Sequence, residues 1–382
     1  MKGLRLLTSV LSLFSSWVLF AASSEQIQYE GLETFIQEWV DQKQVVGASV
    51  VVVKSGVVGF AKSYGVRKLG SKERVDLNTV FQLGSVTKTF TASLFATSAL
   101  KNKMSLDAKL IAHKKGIHPD TRIKHLLSHS SGIESPGWNI KIESGYTRSQ
   151  LFQSLIKLQQ KKPGEVFSYN NFAYSLLEEE INATLGMPYS NAIQSFILNP
   201  LEMNRTTVGY EVFSRQENRA YPHVFTPKKR IEVRSRFSKN YHNTVVSSAG
   251  INSSGNDMGK FLSFLMGDYP QLASRKDLEL FHTKVITAPD AKKWLKSHFQ
   301  EPFGSYYGYG WRILQKGDDT IVFHGGWVGG FCNIIAIVPK KNIGIAILNN
   351  NENSFAMKTA LYFLSEVLGS EWKTKMVLNK KK

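Results

Sequence analysis

Thr79-Val80-Phe81-Gln82-Leu83-Gly84-Ser85-Val86-Thr87-Lys88 is the stretch whose reading decides the fold. Its first five residues have the apolar, β-branched character of an extended segment, and Gly84 permits a sharp turn. From Thr89 to Leu100 the residues are almost all apolar or small, which predicts a largely buried helix. Ser85 then lies at a helix N-terminus, where free backbone N–H groups and the dipole favour negative charge. Lys88 follows one turn later on the same face. A serine hydroxyl attacks an acyl carbon only with a base beside it. A lysine is that base only when neutral, which requires burial or cationic neighbours. The apolar surroundings of Lys88 meet the first condition.

Ser-x-x-Lys alone is a weak signal, since it occurs four times, starting at Ser85, Ser98, Ser154 and Ser370. The last three lie in polar or terminal contexts and read as solvated pairs. Taken alone, Ser85 and Lys88 read equally well as a helix cap beside a paired lysine. Two further motifs change that balance. Tyr169-Asn170-Asn171 begins 84 residues after Ser85, at the end of the turn-rich run that starts at Lys162. A phenol there is a second proton carrier, and Asn171 can bond both Lys88 and a substrate carbonyl. His324-Gly325-Gly326 begins 155 residues after Tyr169, where the strand-like Thr320–Phe323 runs into glycines and Trp327. Glycines at a strand end admit close backbone approach, and the Trp327 and Ser85 N–H groups form a candidate oxyanion hole.

Together these motifs resemble the serine β-lactamase and penicillin-binding-protein superfamily. The likeness is to the branch shared by class C β-lactamases, D-alanyl-D-alanine carboxypeptidases and β-lactamase-like esterases. It covers about residues 30 to 370 and extends to His125–Ile133, Asn199–Met203 and Ser248–Ser254 with Asp257. The resemblance implies that Ser85 is acylated, that Lys88 activates it, and that Tyr169 shuttles a proton to the leaving group. It also implies that Asn171, His324, Gly325, Gly326 and Trp327 bind substrate, without metal or cofactor. One departure stands out. β-Lactamases of this branch usually carry Lys-Thr-Gly at the third motif, and a mostly neutral His324 selects less strongly for a substrate carboxylate. The expected function is an amide- or ester-cleaving serine hydrolase of carboxypeptidase or esterase type. A true β-lactamase and a silent binding protein on the same fold are the alternatives.

The fold this implies is α+β, an antiparallel β-sheet flanked by helices plus a mainly helical lobe. Strand patterns at Gly47–Lys54, Val57–Tyr64, Tyr309–Leu314, Thr320–His324, Phe331–Pro339 and Ile343–Asn349 build the sheet lobe, about residues 30–78 and 305–370. Helical patterns at Arg148–Gln160, Phe172–Leu185, Tyr189–Leu198 and Asn256–Met266 build the other, about residues 79–304. Helices over Glu30–Gln44 and Ser354–Leu368 pack on the sheet. The cleft between the lobes is the expected ligand site. Substrate choice is assigned to the segments Gly132–Tyr146, Tyr210–Asn243 and Glu301–Tyr307.

Residues 1–24 read as a secretory signal, with Lys2 and Arg5 before an apolar stretch and Ala21-Ala22-Ser23-Ser24 as the cleavage zone. The expected product, residues 25–375 with a basic tail at 376–382, is exported to a periplasm or secreted. Cys332, the single cysteine, excludes an intramolecular disulfide and reads as a small buried side chain. The formal charge of +18 falls to +16 once Lys2 and Arg5 leave. A basic run from Lys228 to Lys239 suits weak contact with anionic envelope surfaces. No zinc-finger or RNA-recognition spacing supports nucleic acid as a partner. The expected partner is a small-molecule or peptide substrate, peptidoglycan included. His125 and His129 share the i, i+4 spacing of metal ligands but lack the glutamate of His-Glu-x-x-His, so turn hydrogen bonding is expected instead.

Overall fold

A computed structural model describes residues 29–113, 116–134, 137–225, 230–232, 236–295, 303–369 and Trp372. The signal at 1–24, the tail at 376–382 and, of the basic run, residues 228, 229 and 233–235 lie outside the described residues. An eight-stranded sheet dominates. Its order is Val57–Gly65, Gly47–Lys54, Ile343–Asn349, Phe331–Val338, Asp319–Val328, Arg312–Lys316, Gly304–Tyr307 and Ile286–Thr287. Every neighbouring pair is antiparallel. The α+β expectation, antiparallel sheet and helical lobe together, is therefore met.

Strand Gly47–Lys54 shows why the sheet is sandwiched. Its run of four valines offers an apolar side chain to both faces, as a strand covered on two sides requires. Val50 and Val52 pack with Leu32 and Ile36 of the helix over residues 29–41, and with Phe363 and Leu364 of helix Phe355–Leu368. Val51 and Val53 join the larger core with Phe261 and Leu262 of helix Gly255–Leu265. Phe261 stacks on Phe90 at 3.8 Å between ring centroids, which ties the sheet layer to the Ser85 helix.

That helix spans Thr87–Ala96, entered through a 3₁₀ turn at Gly84–Val86, and all ten of its residues are buried. It has no polar face because no face meets water. The single helix expected to Leu100 breaks at Thr97, whose ψ is 150°, and resumes as Ser98–Lys101. The Thr97 hydroxyl donates to the Leu94 carbonyl at 2.7 Å, a local bond that competes with helix continuation. The strand expected over Tyr309–Leu314 begins three residues later, at Arg312, and runs on to Lys316. Strands Gly304–Tyr307 and Arg312–Lys316 flank a turn at Gly308–Gly310, with Gly310 at φ +76°. A Cβ on Gly310 would lie 2.8 Å from the Lys88 carbonyl oxygen, so this turn packs directly on the Ser85 helix.

The third-motif strand runs further than expected, to Val328. Its pairing with Arg312–Lys316 ends at Phe323 opposite Arg312, while on the other side it continues to Val328 opposite Phe331. Residues 324–328 therefore present one unpaired backbone edge toward the cleft. Among the described residues, no helix is long and apolar enough to cross a membrane.

Candidate active site

Ser85 is half-buried at the head of its helix, and Lys88 is fully buried one turn along. Lys88 Nζ lies 2.7 Å from Asn171 Oδ1, 3.0 Å from the Ser248 carbonyl oxygen and 3.3 Å from Ser85 Oγ. The first two atoms only accept, so they take two N–H groups. In the neutral amine the remaining lone pair faces the Ser85 hydroxyl. Burial pushes the Lys88 pKa well below that of a free lysine, and the Arg312 charge pushes it further. The Tyr169 hydroxyl donates to Ser85 Oγ at 2.9 Å. Burial raises Tyr169 to about 12, against the pull of Arg312 and of the bond to Ser85, so the phenol keeps its proton at neutral pH.

Tyr169 and Asn171 arrive together because Asn170 caps helix Asn171–Ser175, its side chain accepting from the N–H groups of Phe172 and Ala173 at 3.0 Å each. Asn171 Nδ2 donates to Asn139 Oδ1 at 3.1 Å, which holds the amide with its oxygen toward Lys88. Tyr174 adds a second ring beside the lysine, 5.4 Å from Nζ, and its hydroxyl donates to the Lys88 carbonyl.

On the facing wall, His324 is buried and its pKa is driven well below the ordinary value, first by burial, then by the charges of Lys88 and Arg312. His324 Nδ1 lies 2.8 Å from the Gly325 carbonyl, which can only accept, so Nδ1 carries the proton. Nε2 then accepts from the Tyr307 hydroxyl at 3.0 Å. This histidine is a neutral, fixed wall residue. Two glycines bring the walls together. A Cβ on Gly326 would sit 1.9 Å from the Leu83 carbonyl oxygen, and one on Gly84, at φ +56°, would sit 3.0 Å from the Trp327 nitrogen. The turn bearing Ser85 is thus pressed backbone to backbone against the Trp327 segment. Asn333 clasps the same contact, donating to the Gln82 carbonyl at 2.9 Å.

A cavity of about 840 Å³ opens over Ser85, lined by Tyr169, Asn171, Arg312, His324, Gly325, Gly326 and Trp327 among others. Trp327 is 58% exposed at its rim, whereas Trp138 is buried and stacked on Phe172. Segment Gly132–Tyr146 contributes Asn139 and Glu143, and Tyr210–Asn243 contributes Val224 and Tyr241. The described part of Glu301–Tyr307 acts at one remove, through Tyr307 on His324. Cys332 also lines the cavity, but burial pushes its thiol up to about 12, which leaves it a poor nucleophile.

His125 and His129 do not converge. His125 Nδ1 accepts from the Arg122 N–H at 3.1 Å, and His129 Nδ1 accepts from the Asn170 N–H at 3.3 Å beneath the Tyr169 ring. Among the described residues, no group of three or more His, Cys, Asp or Glu side chains could hold a metal ion.

Sequence reasoning gave no role to Arg312 and Asp290, and carried Tyr307 and Ser248 only inside longer segments. Arg312 lies over the Tyr169 and Tyr307 rings and is held by the carboxylate of Asp290. No spacing rule marks it, because its partners come from three separate segments. A lone arginine in a strand whose neighbours are buried was the available signal.

A buried amine on a serine hydroxyl, a phenol on the same oxygen and two backbones pressed together beside them are the parts that acyl transfer through a serine requires. Residues 32–368 match the Beta-lactamase family, and the chain belongs to it. It is 26% identical over 353 residues to Protein flp of Staphylococcus aureus (strain MW2), covering 88% of this chain and 66% of that protein. The chain thus spans just under two thirds of that relative's length. It is 24% identical over 326 residues to the D-alanyl-D-alanine-carboxypeptidase/endopeptidase AmpH of Escherichia coli (strain K12), covering 79% of this chain and 78% of that one. Among solved structures it resembles the octameric penicillin-binding protein homologue from Pyrococcus abyssi. The TM-score there is 0.77 with 28% identity, over 90% of this chain and 78% of that one.

Proposed function

We propose that this serine hydrolase cleaves the amide of a short peptide through a Ser85 acyl-enzyme, in the manner of a D-alanyl-D-alanine carboxypeptidase. The observation that carries the reading is the buried Lys88 amine on the Ser85 hydroxyl, beside an unpaired strand edge at residues 324–328. An extended peptide adds to such an edge through backbone hydrogen bonds. Lys88 takes the Ser85 proton as Oγ bonds to the acyl carbon. The charge that develops on the acyl oxygen meets the N–H groups of Ser85 and Trp327. Tyr169 gives its proton to the leaving amine, and the proton held by Lys88 restores the phenol. Water then enters, and the same groups release the acid and free Ser85. Asn171 holds the substrate carbonyl or amide, and Gly325 and Gly326 admit it to the wall.

The likeness to AmpH supports a peptide substrate. An esterase would use the same steps with an alkoxide leaving group. The neutral His324, and an Arg312 already bound to Asp290, give weak electrostatic capture of any substrate carboxylate, that of a β-lactam or of a peptide C-terminus alike. Export to the envelope, where peptidoglycan peptides are found, is part of the proposal and rests on the character of residues 1–24.

The test is intact-mass analysis of the protein and its Ser85→Ala variant after exposure to a labelled penicillin and, separately, a fluorophosphonate. A lasting penicillin adduct lost in the variant supports the peptidase reading. A transient adduct with drug consumption indicates a β-lactamase, and fluorophosphonate labelling alone an esterase. No adduct with either moves the chain to a binding role.

A further inference from the structure

Beside Lys88, the short helix Val246–Ala249 carries the Ser248 carbonyl that faces the lysine amine. The Ser248 hydroxyl donates to the Asn171 backbone carbonyl at 2.7 Å, so this one turn carries one acceptor of a Lys88 N–H and holds the backbone of the residue that carries the other. A four-residue helix cannot hold itself, and this one has no side-chain cap at its own N-cap residue, Val245. Glu178, on helix Leu177–Leu185, supplies that cap from outside. Its Oε1 accepts from the Ser247 N–H at 2.9 Å and from the Ser247 hydroxyl at 3.1 Å. Its Oε2 faces Arg148 Nη1 at 3.3 Å. Arg148 is anchored independently on Glu179, Ser175 and the Thr244 carbonyl, so the fold around it does not depend on Glu178.

We propose that Glu178 is a positioning residue for acylation: as a carboxylate it fixes the Ser247–Ser248 turn, and through the Ser248 carbonyl it keeps the Lys88 lone pair on Ser85. The proposal rests on reading Lys88 as the base. Burial raises the Glu178 carboxyl to about 7, against the pull of Arg148 and the Ser247 bonds, while the Glu179 charge raises it further. Tyr189, Glu211 and His242 share the recess in front of it. Protonation weakens the charge-assisted bonds to Ser247. Acylation then falls as pH drops through about 7, in addition to any loss from protonation of Lys88 itself.

Fluorophosphonate labelling of Ser85 in the full chain, followed from about pH 5 to 9, separates these effects in the wild type, Glu178→Gln and Lys88→Ala. In that step Oγ bonds to phosphorus as fluoride leaves, which needs the same activated hydroxyl as acylation. Glu178→Gln, with its fold checked by thermal melting, is expected to lower the maximal inactivation rate on the order of tenfold at pH 8. The apparent affinity for the probe should not change, since Glu178 does not line the cavity. The Gln variant should also lose the ionisation near 7, and Glu178→Asp should retain one. A Gln variant with wild-type rate and profile overturns the proposal. So does uniform slowing with that ionisation kept, which marks a merely structural role. If Lys88→Ala is labelled at the wild-type rate, the base assignment itself fails and the proposal with it. If Lys88→Ala is silent while Glu178→Gln matches wild type, only the positioning role falls.

Discussion

Arg312 lies over the ring of Tyr169, its guanidinium carbon 5.3 Å from the ring centroid, and Asp290 holds it there through bonds of 3.0 and 2.8 Å. One cation thus acts on both proton carriers of the site, lowering the Lys88 pKa and opposing the burial that raises Tyr169.

Arg312→Gln removes that charge. Protonation of Lys88 becomes easier, its pKa rises, and the neutral fraction at pH 7 falls. We expect kcat/KM at pH 7 to drop by about tenfold, with part of the loss recovered at higher pH. A pH–rate profile checks this, and an acid limb that stays in place removes Arg312 from the proton chemistry.

Lys88→Ala deletes the base and strands Asn171 Oδ1 and the Ser248 carbonyl. Acylation should fall by about 10²–10⁴-fold, the usual worth of a positioned base. Stopped-flow or quenched acylation measures it directly, and a loss under threefold would point to another base.

Gly326→Ala places a methyl 1.9 Å from the Leu83 carbonyl oxygen, which cannot move without shifting the Ser85 turn. We expect destabilisation of about 1–3 kcal/mol together with loss of acylation. Denaturant unfolding and adduct formation are both informative, and a fully active, fully stable variant would contradict the close approach.

His282 is pushed down to about 3 by burial, and its Nδ1 has no hydrogen-bond partner among the described residues. Between its ordinary 6.5 and about 3 the unfolded chain binds a proton that the folded chain does not. Stability therefore rises with pH across that window and is lost as pH falls through it. His282→Gln should flatten the dependence of the unfolding free energy on pH below 6.5. Unchanged acid sensitivity in the variant would place the linkage elsewhere, for instance on His125, pushed down to about 4.

Much of the frame was legible in the residues because it depends on local pattern. The four valines of Gly47–Lys54 and the nearly unbroken apolar runs of Phe331–Val338 and Ile343–Asn349 announced strands at their observed positions. Short strands were not legible: Ile286–Thr287 and Gly304–Tyr307 extend the sheet's edge without a long enough pattern to register. The break at Thr97 and the turn at Gly308–Gly310 escaped as well. The first answers to the Thr97 hydroxyl bonding the Leu94 carbonyl, the second to packing of Gly310 on the distant Ser85 helix.

By itself, the sequence determined which chemistry-bearing residues exist and how they are ordered. A serine and a lysine one turn apart must share a helix face, and glycines after a strand must open its backbone. Only the tertiary structure decided the protonation of Lys88, which follows from its complete burial and from Arg312 above the Tyr169 ring. It alone also set the tautomer of His324, through the Gly325 carbonyl, and the hold of Glu178 on the turn beside the lysine. Those properties arise from desolvation and from charges only a few ångströms away, and segments far apart in the chain meet at such distances only once the core has closed around them.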